Sequence, residues 1–352
     1  MLDENIRRCK RCLMPEERGG QRIKLNEDGL CSACTRETAN AESIDWEVQR
    51  RKFEAILNGI CGKGDYDGLI MLSGGKDSVY SAYLLSKVYN LRLMALTIDN
   101  SFEYPETFEN SKKAAKMLNI PLVNYQLQPE QMREYYKFLL TDDSIKRKDT
   151  SQLCFFCGRY LKYLAADIAV RFNIPAVFSG HNMEQIQGLG DESSLGQVEQ
   201  VRKRYINAQS KINYKSACDS LQKSGNTSIL PLFTNNLETV NFNNFIYPLQ
   251  YFEYKPLEII EIISRELDWQ PIKRFSKKYI SSGCRVAKVL QHVAKKNNTI
   301  TYVDVEYSDQ IRNGSLKKED VEAFYATKLE DQEELEKILE ELGLEGRENL
   351  LF

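Results

Sequence analysis

The run Leu69-Ile70-Met71-Leu72 leads into Ser73-Gly74-Gly75-Lys76-Asp77-Ser78 and then into Val79-Tyr80-Ser81-Ala82-Tyr83-Leu84-Leu85, and it constrains this chain more than any other stretch. Four consecutive apolar residues read as a buried parallel strand, and the apolar positions after Ser78 recur at helical spacing. Two glycines, two serines, a lysine and an aspartate lie between them. That composition suits a tight turn which aims backbone N–H groups and a helix N-terminus at a bound anion. The spacing is neither that of the P-loop nor that of a dinucleotide-binding turn.

The run resembles the Ser-Gly-Gly-x-Asp-Ser signature of the PP-loop ATP pyrophosphatases. The resemblance implies a Rossmann-like α/β fold with a parallel sheet. It also implies Mg2+-dependent splitting of ATP into AMP and pyrophosphate through an adenylated substrate. It assigns Ser73, Gly74, Gly75, Lys76, Asp77 and Ser78 to ATP, with Lys76 and Asp77 in the chemistry. Downstream, residues 91–99 read as a second strand, 106–119 as a helix and 122–127 as a third strand. Strands alternating with helices predict a parallel sheet, whose ligands bind at the carboxyl ends of the strands. Thr97 and Asp99 therefore fall at the mouth, where the resemblance implies the adenosine. The nucleotide-binding domain is expected over 65–187.

Cysteine usage adds a second constraint. Nine cysteines in a chain whose opening Met1-Leu2-Asp3-Glu4 reads as no signal peptide point to metal or redox chemistry rather than disulfides. Cys9-x-x-Cys12 and Cys31-x-x-Cys34 are separated by eighteen residues that include Gly19-Gly20 and Asn26-Glu27-Asp28-Gly29. Four thiolates at this spacing satisfy a tetrahedral Zn2+ with no open position, so residues 1–40 read as a zinc ribbon. A rubredoxin-like iron site and four unligated cysteines are the alternatives. Residues 41–64 read as a linker helix with Ser43 as its N-cap and Cys61 as a small apolar filler.

Cys154-Phe155-Phe156-Cys157 opens another helical pattern, and the strand around Ala176-Val177-Phe178 ends on Gly180-His181-Asn182. Two thiols at a helix start are favoured as thiolates. This block resembles the tRNA thiolation enzymes of the two-thiocytidine and archaeal-type two-thiouridine groups. There the pair joins one distant cysteine to hold a [4Fe–4S] cluster with one iron left open. Here the resemblance points to Cys284, in Ser281-Ser282-Gly283-Cys284-Arg285, in preference to Cys218 in the polar insertion 188–245. The short strand 246–249 and an amphipathic helix before Cys284 follow the same order, within a stretch 246–293 that completes the catalytic domain. His181 is a candidate contact to phosphate or the departing oxygen, with a structural role as the alternative; Gly180 is expected beside ATP and Glu184 is a candidate Mg2+ ligand. The run Lys146-Arg147-Lys148-Asp149 reads as a solvated face and His292 as surface. The insertion reads as a substrate-facing lid or mobile loop. Residues 294–352 read as a mostly helical extension, with helices from about 315 and over 328–342, that packs back on the main domain or mediates a homodimer.

Over its full length the chain also resembles the N-acetyl sugar amidotransferases. The shared features are Cys-x-x-Cys-x-Met-Pro at the start, Ile44-Asp45-Trp46, the 73–78 loop, the Cys154/Cys157 pair and Ser308-Asp309-Gln310-Ile311-Arg312-Asn313-Gly314. That resemblance implies conversion of an acetamido carbonyl to an amidine with ammonia from a glutaminase partner. His181 and the region of Cys284 depart from its pattern and follow the thiolation pattern. A formal charge of −2 carries no global basic footprint for nucleic acid, and no apolar run reaches membrane-spanning length. The reading is a cytoplasmic ATP-dependent sulfur transferase using ATP, Mg2+, Zn2+ and a [4Fe–4S] cluster. Its acceptor is a small heterocycle or metabolite in preference to tRNA, and its sulfur comes from sulfide or a donor protein, or from a cysteine persulfide without a cluster. The alternatives are the amidotransferase and a non-catalytic adenine-nucleotide-binding protein.

Overall fold

The computed structural model describes residues 6–16, 23–37, 44–145, 151–182, 215–235, 237–242, 244–272, 283–297, 302–326 and 332–351. Five strands form one sheet: β1 (Gly68–Met71), β2 (Leu93–Asp99), β3 (Leu122–Gln126), β4 (Val177–Ser179) and β5 (Phe245–Ile246). Their order is β3-β2-β1-β4-β5 and every pairing is parallel, with Leu69 opposite both Met94 and Val177. The chain runs outward from β1 to β3 and then returns to lay β4 against the other side of β1. Such a reversal opens a crevice at the carboxyl ends of the two strands that flank it.

Helices cover both faces, which is why the central strands are apolar without alternation. Ile70, Leu93 and Ala95 face the helices Trp46–Ile60, Lys76–Tyr83 and Pro256–Leu267, among Phe53, Val79 and Ile263. Leu69, Met94 and Leu96 face the helix Ser151–Arg171 through Ala165, Ala166 and Ala169. A larger cluster beside the sheet joins Pro129–Thr141, the Cys154 helix, Val286–Asn297 and Gln332–Glu341 through Tyr136, Phe156, Val289 and Ile338. The last of these helices buries Leu335, Ile338 and Leu339 in that cluster.

Several boundaries differ from the sequence reading for local reasons. The helix expected from Ser43 begins at Trp46, and its cap is Asp45, whose carboxylate accepts from Glu47 N and Val48 N; Ser43 lies outside the described residues. Cys61 is exposed rather than a filler. The strand expected over 246–249 is only Phe245–Ile246, because Pro248 starts a 3-10 turn, Pro248–Tyr251. Glu184, residues 146–149 and residues 188–214 lie outside the described residues. Helix 215–224 and its successor Leu230–Thr234 bury Ala217, Leu221, Leu232 and Phe233 in the large cluster.

The four-cysteine lobe is small, with bridges Arg8↔Pro15 and Leu25↔Cys31 and a helix Ser32–Glu37. The hairpin turn closes through Leu30 N to Asn26 Oδ1 (2.8 Å) around Gly29 at φ +78. The lobe packs on the C-terminal helices: Val305 and Ile311 meet its cysteine core, and Leu13 joins Val303, Tyr307 and Leu316.

Candidate nucleotide and thiol site

The 73–78 loop lies at the sheet's reversal point. Gly74 has φ +74, and a Cβ there would sit 2.0 Å from the Thr107 carbonyl oxygen, so only glycine fits. Its carbonyl is held outward by Trp269 Nε1 (2.9 Å) and Asn110 Nδ2 (3.3 Å). Trp269 reaches it because the Pro256–Leu267 helix ends on Asp268 in the left-handed region at φ 50. Ser73 N donates to Ser78 Oγ (3.2 Å), and Ser78 Oγ donates to Gly75 O (3.1 Å). With its carbonyls engaged this way, the loop leads into the N-terminus of Lys76–Tyr83, whose first-turn amides have no intrahelical partner. Such a loop and helix start have the donors to cradle an anion.

Thr97 is buried beneath the loop and donates to Leu72 O (2.7 Å), so it supports the cradle from below. Asp99 ends β2, and its Oδ1 accepts from Ser101 N (2.7 Å) in an Asx turn. Gly180 crosses the loop so closely that a Cβ would lie 2.4 Å from Ser78 Cα. Lys76 Nζ contacts Asp77 Oδ2 (2.8 Å), and the Tyr254 hydroxyl donates to Asp77 Oδ1 (2.7 Å). Tyr254 has no motif around it in the sequence; the fold delivers it from 177 residues away.

His181 stands at the end of β4 with Nδ1 2.6 Å from Ser179 Oγ. Burial, aided by nearby Lys162, lowers it to about 3, so the imidazole is neutral. Lys162 is itself buried and lowered to about 7 by desolvation, with its ammonium 5.2 Å above the Tyr247 ring. Lys162 went unnoticed in the sequence because it is one polar residue on an otherwise ordinary helix. Only the approach of β4 gives it a site.

Cys154 and Cys157 lie in the first turns of Ser151–Arg171, and Cys284 is brought to them by backbone pairing. Tyr104 N donates to Gly283 O and Arg285 N to Phe102 O, both at 2.7 Å, so 283–285 lies alongside the segment that follows β2. A Cβ at Gly283 would sit 2.4 Å from Glu103 Oε2, which keeps that carboxylate next to Cys284. Tyr136 Oη lies 3.3 Å from Cys157 Sγ. The thiolate expected at Cys157 is opposed by burial, which pushes it up to about 11 and pushes Cys284 well above its ordinary value, with Glu103 adding to both. Desolvation outweighs the helix N-terminus, and without a metal these thiols are protonated. Glu103 is raised to about 7 by the same burial. The groups that perturb Cys284 include Cys157 and Cys154; Cys218 packs against the same cluster from helix 215–224.

The two cysteine sets differ in geometry. Cys9, Cys12, Cys31 and Cys34 are buried and place their sulfurs within 4.8 Å of one another, with Cys12 and Cys31 3.6 Å apart. A tetrahedral ion with Zn–S near 2.3 Å sets sulfur–sulfur edges of about 3.8 Å, so this set fits one ion. Hydrogen bonding from Cys12 holds Cys31 down at about 4 while Cys12 rises. Among the described residues, no other His, Cys, Asp or Glu set is as compact. The sulfurs of Cys154, Cys157 and Cys284 are therefore not all within 4.8 Å of one another.

A family of unknown function (DUF7411) matches residues 67–148. The chain is 24% identical to the NH(3)-dependent NAD(+) synthetase of Helicobacter pylori, over 42% of this chain and 49% of that protein. It is 26% identical to the tRNA-5-methyluridine(54) 2-sulfurtransferase of Pyrococcus horikoshii, over 33% of this chain and 35% of that one. The chain thus spans half or less of the length of these curated relatives. Among solved structures it is similar to the U34-tRNA thiolase NcsA of Methanococcus maripaludis with its [4Fe–4S] cluster. That likeness has a TM-score of 0.36 and 15% identity, over 83% of this chain and 86% of the other. No helix among the described residues is long and apolar enough to cross a membrane.

Proposed function

We propose that this protein is an ATP-dependent sulfur transferase with the PP-loop mode of nucleotide binding. The observation that carries the reading is the delivery of Cys284 to Cys154 and Cys157 beside the mouth that holds the 73–78 loop. The similarity to a tRNA 2-sulfurtransferase supports it.

In this reading the loop amides and Lys76 hold the β,γ-phosphates of Mg2+-ATP, Asp77 is oriented by Tyr254, and Asp99 and Gly180 line the nucleotide. The carbonyl oxygen of the acceptor attacks the α-phosphorus and pyrophosphate leaves. Hydrosulfide then adds to the activated carbon. AMP departs with the former carbonyl oxygen, one proton is lost, and C=O has become C=S without net redox change. Neutral His181 contacts the departing oxygen, and Lys162 supplies positive charge once phosphate enters. Cys154, Cys157 and Cys284 fit a [4Fe–4S] cluster by donor type; when bound, such a cluster would offer an open iron to hydrosulfide. Cys9, Cys12, Cys31 and Cys34 hold zinc. The acceptor is a small heterocycle or metabolite in preference to tRNA, in a cytoplasmic enzyme.

The second reading replaces sulfur by ammonia from a glutaminase and makes the chain a sugar amidotransferase. It is supported by the similarity to an NH(3)-dependent synthetase and by the ordered 308–314 block, in which Ser308 and Gln310 are buried. Metal and acid-labile sulfide analysis of anaerobically purified wild type and Cys284→Ala decides between them. Sulfur transfer predicts about one zinc with about four iron and four sulfide per chain, the iron being lost in the variant. Zinc alone, unchanged by the substitution, removes the cluster and puts the amidotransferase first.

A further inference from the structure

The C-terminal helix Tyr302–Arg312 has one face against the four-cysteine lobe and another in the nucleotide mouth. On the lobe side, Arg312 Nη1 donates to Cys12 Sγ (3.1 Å), and Arg8 Nη1 bridges Asp304 Oδ1 (3.3 Å) and Leu13 O (3.0 Å). Val305 and Ile311 complete the lobe's apolar core. On the mouth side, Glu306 Oε1 accepts from Asn182 Nδ2 and from Gln310 Nε2, each at 3.1 Å. Asn182 follows His181 directly, and its side chain also hydrogen-bonds Tyr254. Tyr254 in turn donates to Asp77.

Donors and acceptors alternate along this path. The Asn182 amide serves Glu306 and the Tyr254 oxygen, the Tyr254 proton goes to Asp77 Oδ1, and Asp77 Oδ2 takes Lys76. Glu306, Asn182, Tyr254 and Asp77 are each no more than 8% exposed, so every link is made in a low-dielectric interior. There, breaking one hydrogen bond leaves its partner unsatisfied.

We propose that helix Tyr302–Arg312 couples the four-cysteine lobe to the nucleotide loop, with Glu306 as the positioning residue that fixes Asn182 and Tyr254 and thereby the Asp77 carboxylate. The lobe is then a structural part of the ATP site although no residue of it touches nucleotide. This rests on the nucleotide reading of the 73–78 loop and is independent of whether sulfur or ammonia is transferred.

The test is calorimetric titration of the full chain with α,β-methylene-ATP and Mg2+, in wild type, Glu306→Ala, Glu306→Gln, Arg8→Ala and the double variant Arg8→Ala/Glu306→Ala. Glu306→Ala is expected to weaken binding about tenfold. Glu306→Gln, whose carbonyl still accepts from Asn182, is expected to restore most of it. Arg8→Ala, remote from the mouth, is expected to weaken binding about threefold alone and to add nothing in the double variant, since both changes act through one path. If Glu306→Ala does not fold, Arg8→Ala decides. Binding by Glu306→Ala and Arg8→Ala within twofold of wild type overturns the coupling and leaves the nucleotide reading standing. A wild type that does not bind the analogue at all overturns both.

Discussion

Lys162 illustrates what burial does to a single side chain. Its ordinary value of 10.5 falls to about 7 because the ammonium loses its hydration, and the Tyr247 ring offsets only part of that loss. The unfolded chain therefore binds a proton that the folded chain does not between about pH 7 and 10.5. The resulting destabilisation is complete below about 7 and is relieved as the pH rises toward 10.5. Lys162→Met is accordingly expected to raise the urea midpoint more at pH 6 than at pH 9.5. Equal shifts at the two values would show that the lysine is not desolvated. Gly180 and Gly74 make the complementary point about shape: each lies where a methyl group would meet backbone at 2.4 Å or less, and backbone cannot move aside as a flexible side chain can.

At the scale of elements, helix ends do much of the placing. Asp45 caps the helix Trp46–Ile60 through two backbone amides at 3.0 and 3.1 Å, and this helix carries Phe53, Leu57 and Ile60 into the core beneath β1. Asp45→Ala is expected to cost about 1 kcal/mol in chemical denaturation, with the analogue affinity unchanged because the cap lies far from the mouth. Asp268 at the end of Pro256–Leu267 turns Trp269 onto the Gly74 carbonyl, so a helix terminus helps shape the cradle. The pairing of 283–285 with 102–104 has the same character. Three residues of extended chain bring Cys284 to a pair of cysteines on a different helix. Neither feature has a strong local signature. A left-handed aspartate and a three-residue pairing become visible only when the second segment is in place.

At the scale of the whole molecule, a helix near the C-terminal end completes the core beside the sheet. The helix Gln332–Glu341 seats Leu335, Ile338 and Leu339 in the cluster that carries Tyr136, Phe156 and the thiols, and Arg285 pairs with Glu341 (2.6 Å) while Lys288 pairs with Glu334. Ile338→Ala is expected to cost about 2–5 kcal/mol in urea unfolding, as a deletion from a fully buried position, and to loosen the segment that holds Cys284. A cost under 1 kcal/mol would mean that this helix is not part of the core. The sequence by itself determined the strand, cradle and helix around 73–78, the parallel α/β alternation and the compact four-cysteine set. In each of these the chemistry is written in nearby residues: backbone amides in one turn, thiols three positions apart, apolar periods within one element. Only the tertiary structure decided that burial raises the thiols of Cys157 and Cys284. It also decided that Lys162 is desolvated, and that Asp77 is tied through Tyr254 and Asn182 to Glu306. Those properties depend on burial and on contacts between segments far apart in the chain, and a low dielectric is a property of the packed interior rather than of any stretch of chain.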